Sequence, residues 1–135
     1  MSLDVLRRTF QPADRTIAET TSLFDVAKGR RVLFASAQKL VKAAAGTTST
    51  MMLGDGLDPD GYVTGTDGGI GDLDLETGSA GDLVTGTGAY LDSSGGKLHT
   101  VHDTVDVVYT PGATPGATTP RVAFVVVVLP EWAGL

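Results

Sequence analysis

The run from Arg121 to Leu129, RVAFVVVVL, constrains this chain more than any other segment. Five β-branched residues favour an extended backbone, and in a strand alternate side chains face opposite ways. Val122, Phe124, Val126 and Val128 then point one way, and Ala123, Val125, Val127 and Leu129 the other. Both faces are apolar. One can fill a core, but the second needs cover from another layer of the same domain or from a neighbouring subunit. A chain of 135 residues makes about one domain and has little material for a third layer. Val125, Val127 and Leu129 are therefore the candidates for an oligomer contact.

The remaining pattern is also β. Eighteen glycines punctuate short apolar segments: Thr48 to Leu53, Gly61 to Thr64, Ile70 to Leu75, Leu83 to Tyr90, Lys97 to Val101 and Val105 to Thr110. Between them stand turn-forming groups such as Asp58-Pro59-Asp60-Gly61 and Ser93-Ser94-Gly95-Gly96. Leu3 to Phe10 reads as a helical candidate, whereas Ala37 to Ala45 reads better as the end of a strand that includes Val32 and Phe34. The expectation is an all-β, jelly-roll-like antiparallel sandwich over residues 21–135, preceded by an extended N-terminal arm over residues 1–20. A twice-repeated TPGA unit between Thr110 and Pro120 predicts a projecting hairpin loop.

Charge is segregated along the chain. Ala43 to Gly96 has no lysine, arginine or histidine but nine carboxylates, while Met1 to Lys42 carries eight of the ten basic residues. Such a bipolar molecule can associate head to tail with copies of itself or place its basic end on an acidic surface. Arg7, Arg8 and Arg15, with Phe10 as an apolar anchor, make the arm a candidate partner-gripping segment. No signal peptide or membrane span is expected, which predicts a soluble product made in the cytoplasm and no membrane partner. Sparse aromatics, 6% of the chain, argue against a nucleic-acid stacking platform.

Candidate chemistry is thin. Absence of cysteine excludes disulfides and thiolate chemistry. Asp55, Asp58 and Asp60 on a glycine-rich turn are weak candidates for a calcium site, because hard cations want several carboxylate oxygens. The EF-hand register fails, however, at its first and twelfth positions. His99 and His102 have metal-ligand spacing, yet on a strand they face opposite sides without a third ligand, and solvent-facing or hairpin positions are expected. Asp72 and Asp74 could share a strand face as a glycosidase pair does, but aromatic sugar platforms are lacking. The expectation is a non-enzymatic protein without a cofactor.

Thr48 to Tyr62 (TSTMMLGDGLDPDGY), Gly88 to Leu91, Gly96 to Thr100 and Asp103 to Thr110, with the final valine-rich strand, together resemble small virion proteins of tailed bacteriophages. The resemblance spans about Leu23 to Leu129, and the β-sandwich decoration or cement proteins are nearest in size and style. It implies a subunit, trimeric as such proteins usually are, that binds the major capsid protein on the outer surface of the virion and stabilises the shell. Alternatives are a head-fibre base, tail or neck component of a phage, or a calcium- or carbohydrate-binding β module.

Overall fold

The computed structural model describes residues 3–43, 49–64, 80–92, 95–114 and 118–130. Along them run strands β1 (Asp4–Phe10), β2 (Glu19–Val26), β3 (Arg31–Val41), β4 (Thr50–Gly54), β5 (Leu83–Thr85), β6 (Lys97–Leu98), β7 (Asp103–Thr110) and β8 (Arg121–Leu129). One helical turn, α1 (Ala89–Asp92), lies between β5 and β6. The first sheet has the order β1-β8-β3-β5, with β6 also on β3, and the second has the order β2-β7-β4. Every pairing is antiparallel.

The ladders nest: β1 pairs with β8, β2 with β7 and β3 with β6. This is a long hairpin wrapped on itself so that successive rungs alternate between two sheets, the jelly-roll arrangement. The expected all-β sandwich is what forms. Its core lies between the sheets, where Val122, Phe124, Val126 and Val128 of β8 meet Val105, Val107 and Tyr109 of β7 and Met51 and Leu53 of β4, all buried. Lys39 is buried on the core side of β3, opposite Val122, with its ammonium 3.7 Å from Asp82 at the sheet margin. Its alkyl stem covers apolar surface while the charged end reaches outward.

The N-terminal segment is not an arm. Asp4 to Phe10 pairs residue by residue with Val128 to Val122, Phe10 belongs to the core, and Leu6 packs against it. The connection to β2 is tied down as well, since the Tyr109 hydroxyl donates to the Arg15 carbonyl at 2.6 Å. Helical and arm readings both failed because Arg7-Arg8-Thr9 interrupts the alternation of an edge strand that is covered on only part of one face.

Other boundaries moved less. β3 runs as strand to Val41, while Gly61 to Thr64 forms no strand of its own and joins the sandwich by isolated bridges, that of Val63 to Leu53 among them. The expected strand Leu83 to Tyr90 ends at Thr85, and Ala89 and Tyr90 begin α1. Ile70 to Leu75 lies outside the described residues. The segment between β7 and β8 crosses from one sheet to the other, so it is no hairpin, and Gly112 N–H donates to the Ser49 hydroxyl at 3.0 Å where it leaves β7.

Candidate interaction surfaces

The two sides of the sandwich differ. Beside β4 and β5 the gap is closed by the loop after β4 and the segment leading into α1. Gly88 N–H donates to the Tyr62 carbonyl at 3.1 Å and Tyr90 N–H to the Gly61 carbonyl at 2.9 Å. The approach is so close that a Cβ at Gly88 would run into the Asp60 and Gly61 carbonyls, and one at Gly61 into the Tyr90 ring. Asp55 organises this loop. Its buried Oδ1 accepts from Leu57 N–H at 3.0 Å, Asp58 N–H at 2.9 Å and the Tyr90 hydroxyl at 2.8 Å. The rings of Tyr62 and Tyr90 meet edge-on at 5.2 Å, and Lys97 Nζ lies 4.0 Å from the centre of the Tyr90 ring.

Asp55 is thus committed to holding a turn. Asp58 and Asp60 lie close together, and the hydrogen bond that a protonated Asp58 carboxyl donates to the Asp60 carboxylate, with burial and the Asp60 charge, raises the Asp58 carboxyl above its ordinary range. Among the described residues no group of three or more acidic or histidine side chains is disposed to hold a metal. Asp72 and Asp74 lie outside the described residues.

His99 is not the solvent-facing residue expected. It is buried, with Nε2 2.9 Å from the Tyr62 hydroxyl, and its backbone bridges Arg30 and Gly29. Its partner stands far away in sequence, so spacing carried no signal. His102 is exposed, 3.6 Å from Asp25. Burial, aided by the Lys97 charge, holds the His99 ring below its ordinary value of 6.5. The unfolded chain then binds the proton more readily, so this stabilisation is complete above the unfolded value and is lost as pH falls toward the folded one. Urea midpoints are expected to fall on acidification from pH 7 to about pH 5, and to fall less in His99→Gln. Identical slopes in the two proteins would clear His99.

Beside β1 and β2 the sandwich stays open. Each strand is the edge of its sheet, and the gap between them is a cleft of about 950 Å³. Leu6 and Phe10 come from one wall and Leu23 and Phe24 from the other. Arg7 and Arg8 on β1 are exposed. Of the four residues expected to grip a partner, these two are accessible. Phe10 is core, and Arg15 is half-buried in the β1–β2 connection.

The outward face of the first sheet carries the oligomer candidates. Val125, Val127 and Leu129 are half-buried there, while Ala123 is buried. Register places Val5, Val127 and Phe34 side by side in one cross-strand row. Val5 is 66% and Phe34 40% exposed, so this apolar row lacks full cover among the described residues.

No family model and no curated protein matches the chain. Among solved structures, a chain of the cyanophage Pam1 capsid asymmetric unit is similar to it with a TM-score of 0.59 at 14% identity, over 96% of this chain and 84% of that chain. The likeness is one of fold. It extends over nearly the whole sandwich and pairs two chains of similar length.

Proposed function

We propose that this chain is a structural component of a phage virion: a decoration protein that binds the major capsid protein on the outer surface of the shell, as a trimer, and acts by binding without chemistry. The whole-chain likeness of fold to a chain of a cyanophage capsid unit carries this reading. The Val5–Val127–Phe34 row supports an assembled state, since it offers apolar surface that a neighbouring subunit can cover. A trimer seated on assembled subunits stabilises the shell because it binds that state and not its dissociated parts, and three equivalent contacts raise avidity.

Co-sedimentation of purified protein with shells that lack it tests the attachment. Recovery with the shells supports the reading, and its absence at micromolar concentration overturns it. Sedimentation velocity tests the oligomer. Val125→Lys with Val127→Lys is expected to convert an assembled species to monomer while β-sheet circular dichroism persists, because both side chains lie on the outward face. A wild-type protein that sediments as a monomer would remove the trimer.

A further inference from the structure

Three features of the molecule fit one another without meeting in a single copy. The first is the cleft between β1 and β2. Its walls are strand edges paired on one side only, so each presents backbone donors and acceptors that no ladder uses. At about 950 Å³ it lies within the range, roughly 300–1,000 Å³, that holds a drug-sized group, and Leu6 and Leu23 put an apolar strip into a mostly polar lining, with Phe10 and Phe24 buried in the core behind it.

The second is the charge at its rim. On the β2 wall, the Glu19 carboxylate accepts from Ala13 N–H at 3.0 Å and the Thr21 hydroxyl at 2.6 Å, and Asp25 faces His102. On the β1 strand, Arg8 takes an inward register position at the mouth of the cleft and Arg7 the outward one beside Val125, and neither has a partner among the described residues. The rim thus carries both signs, with the arginines on the β1 wall and the Glu19 and Asp25 carboxylates on the β2 wall.

The third is the loop after β4, on the opposite side of the sandwich. Leu57 stands at its tip, 89% exposed. Asp58 and Asp60 follow, crowding each other without a cation among the described residues to separate them. The turn is already fixed by the Asp55 carboxylate, so presenting Leu57 costs little further ordering.

We propose that the cleft between β1 and β2 receives the 55–61 loop of a second copy of this chain, with Leu57 inserted between the walls and Asp58 and Asp60 meeting Arg8 and Arg7. Donor and acceptor surfaces lie on opposite sides of one subunit, so the contact is heterologous, and it builds a ring where its rotation closes and an open filament where it does not. The acceptor surface continues from the cleft over β1 to Val5 and Val127 on the outward face, which joins it to the apolar row described above. This contact rests on the reading of the chain as an oligomer and names the surfaces that would build it.

Charge reversal in the full chain tests it by sedimentation velocity at micromolar concentration and low salt. Arg7→Glu with Arg8→Glu, and separately Asp58→Lys with Asp60→Lys, are each expected to give folded monomers with unchanged circular dichroism. The fourfold variant combining them is expected to reassociate, and Leu57→Ser to weaken association at least about tenfold through loss of a buried leucine. Oligomers that survive both reversals would overturn this contact and leave the oligomer standing, whereas a monomeric wild type would remove both. A fourfold variant that stays monomeric would overturn the pairing of these charges. If the arginine reversal spares the oligomer but abolishes co-sedimentation with shells, the β1 edge belongs to the shell and the proposal falls.

Discussion

Deletion of residues 1–10 is expected to unfold the domain. It removes seven rungs of the β1–β8 ladder, takes Phe10 out of the core and strips Leu6 from its margin. Burial of two such side chains is worth about 1.5–3 kcal/mol each, and the lost hydrogen bonds add about 0.5–1.5 kcal/mol apiece. The total exceeds about 5 kcal/mol, comparable with the whole stability of a typical domain, about 5–15 kcal/mol. Circular dichroism of the truncated protein should show no cooperative melt. Phe10→Ala alone should cost about 3 kcal/mol and keep the fold. A truncated protein that melts at the wild-type temperature would mean that the segment is, after all, a detachable arm.

Asp55→Ala should be the most damaging single substitution in the loop. Three donors converge on one buried carboxylate oxygen, and without it Leu57 N–H, Asp58 N–H and the Tyr90 hydroxyl lose their acceptor together. Hydrogen bonds to a charged group are worth about 1.5–3 kcal/mol each, but water can reach part of this site, so a loss of about 3–4 kcal/mol is expected. Asp55→Asn keeps an acceptor in place and should cost under about 1.5 kcal/mol. Urea unfolding of both variants checks the difference. Equal losses would show that charge, and not the acceptor geometry, holds the turn.

Legibility in the sequence followed the hydrophobic alternation. β8 was readable to its last residue because both faces are apolar, and β7 because Val105, Val107 and Tyr109 alternate with half-buried positions. β1 was not, since Arg8 occupies an inward register position at the mouth of the cleft, where water replaces the core. The Asp55 turn was visible as Gly54-Asp55-Gly56, but its purpose was not. The Tyr90 hydroxyl that completes it comes from α1, and the His99–Tyr62 pair joins segments that only the sandwich brings together. Short-range spacing cannot report such contacts. Charge segregation was plain in the sequence, whereas its spatial meaning required the strand order, which puts Arg7 and Arg8 across the sandwich from Asp58 and Asp60.

The nested ladders also dictate when this protein can become itself. Val5 finds Val127, and Thr21 finds Val107, so almost no rung can close between neighbours in the chain. Loop-closure entropy must be met before these pairings are rewarded, and topologies of this kind fold over milliseconds to seconds. During synthesis β1 has no partner until β8 has left the ribosome, and a chain interrupted before that point lacks both the strand that spans the core and the ladder that seals β1. Incomplete chains are then left unfolded. The same wrapping that delays folding makes it conditional on β8 having been made.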